Sequence, residues 1–209
     1  MKYDVDAIYR NMPPGKIPWN YETPPDALVS FVKSGKIGPC KTVDLGCGTG
    51  TYALYLAGLG FDVTGIDSSP TAVAMAREKA EQQGTACRFI VADLLGDMHE
   101  LDETFDFGFD WELLHTIYPE DRPAYLRNLL RLLNPGALYL SVSFSEQDPQ
   151  FGGTGKYRAT PAGTTLYFSS ESELRELFSP GFIVRELKTI EVAGRPAPHK
   201  AVWLLAGRK

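Results

Sequence analysis

Short apolar runs alternate with amphipathic stretches along most of the chain. Residues 41–45, 61–66, 87–92, 105–109 and 137–144 are too short for buried helices and read as strands. Between them, 52–59 reads as a helix stopped by Gly60, and Ser69-Pro70 opens a helix that Gly84 ends. Asp121 opens another, in which Leu126, Leu129, Leu130 and Leu133 recur at i, i+3, i+4 and i+7, before Asn134-Pro135-Gly136 terminates it. A short helix is expected over 25–33, with Leu28, Val29 and Val32 on one face. Ser170 and Glu173 form a capping-box pattern ahead of Leu174, Leu177 and Phe178. Residues 183–192 and 200–206 are two strands without a helix between them, so the "AGRPAPH" connection predicts an antiparallel hairpin. Strands alternating with helices predict a mostly parallel sheet covered on both faces, with ligands outside the carboxyl ends of its strands.

Two segments break this rhythm. Residues 1–24 carry "MPPGKIPW", whose prolines forbid a continuous helix, while Tyr3, Tyr9, Trp19 and Tyr21 suggest docking. Residues 145–165 are rich in Gly, Ser, Thr and Pro, and a long loop of this kind is often functional. The whole of 1–209 is expected to be one domain. Residues 1–24 would be a lid-like extension and 145–168 an acceptor-side loop.

Composition narrows the function classes. The chain has 209 residues, 44% hydrophobic and 22% charged. No apolar run approaches the roughly 18 residues of a membrane span, and the polar start carries no signal-peptide core. Three cysteines without a spaced framework suit a reducing cytoplasm rather than a disulfide scaffold. No Cys/His cluster has zinc spacing, so no metal is expected. A net charge of −5 without a basic block argues against nucleic acid as a partner. A soluble monomer or homodimer is expected.

The most informative stretch is "TVDLGCGTGTY", where Gly46, Gly48 and Gly50 follow a strand directly. Glycines there let backbone approach a ligand closely. A dinucleotide fingerprint would want a further glycine at Thr51. Asp44, two residues before Gly46, adds negative potential where a pyrophosphate needs none; it suits an ammonium or sulfonium group, or is a hydrogen-bonded structural residue. Asp67 ends the next strand, with Ser68 beside it, and can accept from ribose hydroxyls. Asp93 and Leu94 end the third strand. Asp93 either caps a loop or accepts from an exocyclic amine, with Leu94 packing beside a base.

"VDLGCGTG", "GIDSSP", "VADLL", "FDFGFDWELLHTI" and "LLNPGALYLSV" together resemble the class I S-adenosylmethionine-dependent methyltransferases, in that family's order and over 41 to about 144. The resemblance implies an α/β, Rossmann-like doubly wound sheet of seven strands, mostly parallel with the last one antiparallel. It implies S-adenosylmethionine as cofactor, with Gly46, Cys47, Gly48 and Gly50 near its methionine part, Asp67 on the ribose and Asp93 near the adenine. The segment after the fourth strand, with "IPWNYETPP", is loosely similar to the thiopurine and tellurite-resistance type. That type acts on small molecules, at sulfur or heavier chalcogens.

Asp110 and Trp111 are further cofactor candidates at the end of the fourth strand. Trp19 joins Trp111 because a sulfonium favours an aromatic face. His115 is the candidate base, with loop bonding as its alternative role, and Tyr118, Tyr167 and His199 are candidate acceptor contacts. No N/D-P-P-Y/F sequence follows the fourth strand and no catalytic Cys-Pro pair is present, which sets aside the nucleobase enzymes those patterns mark. Two alternatives remain open at this stage: a cofactor-binding protein of the same fold that transfers another group or only senses, and a nicotinamide oxidoreductase, which Asp44, Thr51 and the terminal hairpin oppose.

Overall fold

A computed structural model describes residues 4–98, 101–195 and 197–209. Tyr3 and His99 lie outside the described residues. The central sheet contains β1 (Lys41–Leu45), β2 (Asp62–Asp67), β3 (Arg88–Val91), β4 (Phe105–Trp111) and β5 (Leu133–Phe144). A small hairpin follows, β6 (Tyr157–Ala159) with β7 (Thr165–Tyr167), and then β8 (Phe182–Val192) and β9 (His199–Arg208). The helices are α1 (Val5–Asn11), α2 (Asp26–Lys33), α3 (Thr51–Gly58), α4 (Pro70–Gln83), α5 (Arg122–Leu132) and α6 (Glu171–Phe178).

Seven strands form one sheet in the order β3-β2-β1-β4-β5-β9-β8. β1 pairs in parallel with β2 and β4, and β4 with β5, while β9 runs antiparallel to both β5 and β8. The chain fills one side of β1 first and then returns to β4 on the other, so the strand order reverses between β1 and β4. The carboxyl ends of those two strands open a crevice there. Thr42, Val43, Asp44 and Leu45 of β1 are all buried, as in a strand covered on both faces.

Two apolar layers sandwich the sheet. Phe31 of α2 and Leu54 and Leu56 of α3 pack with Phe107, Phe109 and Trp203 on one face. Leu129 of α5 and Phe178 of α6 pack with Val43, Ile66 and Tyr139 on the other. At 25–30 cal/mol per Å², burial of this kind stabilises by about 1.5–3 kcal/mol per large side chain. The capping box at Ser170 and Glu173 is present, and Gly84 ends α4 with a left-handed backbone.

Three local features differ from the sequence expectations. Val5–Asn11 is helical: Asp4 caps it, and Val5, Ile8, Tyr9 and Met12 pack with Ile17, Trp19 and Ala72. Leu133 does not close the stripe of α5. It starts β5 opposite Phe105, and Asn134-Pro135-Gly136 forms the irregularity before Phe107 pairs with Leu138. The segment after β5 is not wholly irregular, because it contains the β6–β7 hairpin.

Candidate active site

The glycine turn between β1 and α3 is pinned to the sheet by two bonds, Gly46 and Cys47 N–H both donating to the Ile66 carbonyl, at 2.8 and 3.0 Å. Gly46 and Gly48 have φ of 75° and 52°, which L side chains rarely adopt. A Cβ at Gly46 would stand 2.8 Å from Leu113, and one at Gly48 2.9 Å from the Tyr9 hydroxyl. These two positions demand glycine on both conformational and steric grounds.

A cavity of about 240 Å³ opens at this turn. Asp44, Gly46, Cys47, Gly48 and Asp67 form its floor, Trp19, Tyr52 and Trp111 stand in its walls, and His115, Phe144, Phe151 and His199 form the far end. A smaller cavity of about 20 Å³ shares Gly46, Asp67 and Leu113 with it and is bounded by Ser68, Asp93, Leu94 and Ile117.

Carboxyl groups dominate the floor. Asp44 is buried, and its Oδ2 has no hydrogen-bond partner among the described residues. Burial, and then the neighbouring Asp67 and Asp110, push its carboxyl well above the usual range. Burial also raises Asp67, against the pull of bonds from the N–H groups of Ser69 (2.9 Å) and Gly48 (2.8 Å). Glu112, just beyond β4, also lines the cavity. Its backbone is left-handed (φ 63°) and burial pushes its carboxyl up to about 8. Among the described lining residues Arg195 is the one guanidinium; it lies over Tyr21 and donates to the Gly15 carbonyl.

The N-terminal segment covers this floor. Trp19 Nε1 donates to the Tyr9 hydroxyl (2.9 Å), the Thr49 hydroxyl to Asn20 Oδ1 (2.6 Å), and the Thr51 hydroxyl to the Tyr21 carbonyl (2.9 Å). Asp6 accepts from the Ser69 hydroxyl and the Thr71 N–H at the start of α4. Those bonds hold its carboxyl below the usual range.

At the far end, Phe144 stacks with both His115 (4.1 Å) and His199 (4.4 Å). The two rings are wired oppositely. Phe144 N–H donates to His115 Nδ1 at 3.3 Å, which puts the His115 proton on Nε2. Burial and the neighbouring His199 depress His115 to about 3, so it is neutral. His199 Nδ1 instead lies 3.0 Å from Asp148 Oδ2, so in the neutral ring a carboxylate there takes the Nδ1–H tautomer and Nε2 is the acceptor nitrogen. Asp148 also accepts from the N–H groups of Lys200 (2.7 Å) and Gln150 (2.6 Å). Arg158 gathers the Glu146, Asp148 and Gln150 carbonyls and lies 4.1 Å above Phe168, so it fixes the turn that presents Asp148.

Four candidates from the sequence sit away from both cavities. Asp110 is enclosed behind the site and accepts from the Tyr125 and Tyr139 hydroxyls and Leu114 N–H. Burial pushes it up to about 6. Gly50 caps α3 and faces Phe89 and Ala76. Tyr118 donates to the Thr165 carbonyl, and Tyr167 to Glu173 beneath Arg122. Their hydroxyls therefore tie the β6–β7 hairpin to its neighbours. Sequence reasoning overlooked Glu112 and Asp148. An acidic residue one step past a buried strand end was a usable signal for Glu112. Nothing local to Asp148 connects it with His199.

Residues 42–136 match the family model for a methyltransferase domain. The chain is 29% identical over 189 residues to the 2-heptyl-1-hydroxyquinolin-4(1H)-one methyltransferase of Mycobacteroides abscessus, covering 87% of this chain and 77% of that protein. It is 30% identical over 112 residues to the probable S-adenosyl-L-methionine-dependent methyltransferase TehB of Haemophilus influenzae, covering 54% of this chain and 38% of that protein. A solved structure from the conversion of a disulfide bond into a thioacetal group during echinomycin biosynthesis superposes with a TM-score of 0.82 at 32% identity, covering 98% of this chain and 90% of that one. The glycine turn, the acidic floor and this likeness along nearly the whole chain lead to one conclusion: the chain belongs to the S-adenosylmethionine-dependent methyltransferases.

Proposed function

We propose that this methyltransferase modifies a small aromatic acceptor seated between the acidic floor and the Phe144 end of the cavity. The ring-lined part of the cavity around Phe144 and Phe151 carries the acceptor reading, and the buried, unpartnered Asp44 oxygen, on a floor that also holds Asp67 and Glu112, supports the cofactor's place. Burial holds these carboxyls toward their neutral form, and a cation seated among them would favour their ionisation, so the floor suits a cation and not a pyrophosphate. S-adenosylmethionine carries both an ammonium and a sulfonium, and when bound supplies an electrophilic methyl group. Gly46, Cys47, Gly48 and Asp44 would hold its amino-acid end. Asp67 and Ser68 would take the ribose, and Asp93 and Leu94 the base, in the smaller cavity. Trp19 and Trp111 would wall the sulfonium. The aromatic walls exclude water and fix the approach of the acceptor, which is most of what such a reaction asks of a protein.

Residues 4–24 and 145–168 would cover the two halves of the cavity, the first over the cofactor and the second over the acceptor. In this reading Tyr118 and Tyr167 shape the acceptor side only by holding the β6–β7 hairpin. A second reading, a sulfur or chalcogen acceptor, is favoured by the likeness to the protein of disulfide-to-thioacetal conversion. The test is a panel of hydroxyquinolines, phenols, amines, thiols, selenite and tellurite, with S-adenosylhomocysteine formation as readout. Turnover of hydroxylated aromatics supports the proposal, and turnover of thiols or selenite alone supports the second reading. Tight cofactor binding with no turnover across the panel would overturn both, and would favour a protein that senses the cofactor or transfers another group.

A further inference from the structure

His115 was the sequence candidate for the base, but its wiring makes it a hydrogen-bond donor. Its Nδ1 is already filled by Phe144 N–H, so Nε2 carries the proton. His199 has the complementary wiring: in the neutral ring its Nδ1–H donates to Asp148 and Nε2 carries the lone pair. Both rings line the cavity, stacked on opposite faces of Phe144, and Phe151 lies beside His199. Resting on the methyl-transfer reading above, we propose that His199, oriented by Asp148, is the general base of the reaction, and that its substrate is a planar aromatic hydroxyl compound.

Two features support this choice. A base oriented by a buried carboxylate serves an acceptor that arrives protonated. A thiolate or chalcogenide is already a nucleophile near neutral pH and gains little from such a base. The ring walls accept a flat molecule. In the reaction the hydroxyl proton passes to His199 Nε2 as the acceptor oxygen bonds the methyl carbon. The electron pair of the broken carbon–sulfur bond stays on sulfur, and the sulfonium becomes a neutral thioether. The imidazolium, held by Asp148, then loses its proton to solvent. Asp148 is a positioning residue here, and Arg158 supports it through the carbonyls of the same turn.

The test compares wild type with His199→Gln, His115→Gln and Asp148→Asn, using hydroxyquinolines of graded acidity and thiophenol. Cofactor binding is measured separately by calorimetry with S-adenosylhomocysteine. His199→Gln should lower kcat for the least acidic hydroxyquinoline by roughly 10²–10³-fold. The loss should shrink as acceptor acidity rises and nearly vanish for thiophenol. Asp148→Asn should lower kcat in the same graded way with KM changed little. His115→Gln should act mainly on KM.

An equal loss across all acceptors would overturn the proposal while leaving the cofactor reading intact. Wild type that methylates thiophenol but no hydroxyquinoline would also overturn it. Wild type that fails to bind S-adenosylhomocysteine would instead overturn the methyl-transfer reading, and this proposal with it. Because Asp148 also bonds two backbone N–H groups, Asp148→Asn could fail to fold; His199→Gln then carries the test alone.

Discussion

Glu112 combines an uncommon backbone with a carboxyl that burial pushes up to about 8. A glutamate at φ 63° is a strained choice, of the kind that gathers at functional sites. Below a pH of about 4.5 the folded and unfolded chains both hold its proton, and its ionisation costs nothing. As pH rises toward 8 the unfolded chain releases that proton while the fold keeps it, so stability falls. Glu112→Gln should therefore raise the Tm of the ligand-free protein at pH 8 by roughly 2–4 °C, the shift that about 1 kcal/mol gives a domain of this size, and leave it nearly unchanged at pH 4.5. Thermal melts across that range check it; an equal gain at both pH values would show that charge is not the cause. At this scale the sequence was partly legible. Asp44, Asp67 and Gly46 could be read because each sits at a fixed offset from a strand end. The Asp148–His199 bond could not, because it joins residues 51 positions apart whose meeting depends on β9 running beside β5.

Among the elements, α1 and the chain up to Tyr21 close one side of the cavity through a few bonds to the glycine turn and the start of α4. Few apolar groups hold this segment, with Tyr9, Ile17 and Ala72 as its buried core. Segments so lightly held open at low free-energy cost. S-adenosylhomocysteine should slow hydrogen exchange in 4–24 by at least severalfold, and Asp6→Ala should speed it in the free protein and weaken ligand affinity. Unchanged exchange in 4–24 and 145–168 on binding would contradict the covering role of both. The alternation of strands and helices was readable because each element carries its own period and its own stop signal. Val5–Asn11 was not, because two turns give too few repeats for a period and the prolines after it pointed elsewhere. The β6–β7 hairpin was hidden by surrounding glycines, which permit a loop and a turn alike. Leu133 kept the helical spacing but pairs with Phe105, where the neighbouring strand outweighs the local pattern.

For the whole molecule, a sheet that reverses its strand order between β1 and β4 sets the glycine turn, Glu112 and the two histidines around one crevice. Among the described residues no helix is long and apolar enough to cross a membrane, and no group of three His, Cys, Asp or Glu side chains could hold a metal ion. A ligand that binds only the fold should stabilise all of it: at one hundred times its Kd, S-adenosylhomocysteine adds about 2.7 kcal/mol and should raise the Tm by roughly 5–10 °C. The central claim is that the acidic floor holds the cationic part of the cofactor through Asp44. Isothermal titration of S-adenosylmethionine into wild type and Asp44→Asn tests it most directly. Saturable binding to wild type, weakened about tenfold or more by the substitution (about 1.4 kcal/mol) with the fold intact, is the predicted result. Absence of binding to wild type, or equal affinity in the two proteins, would contradict it.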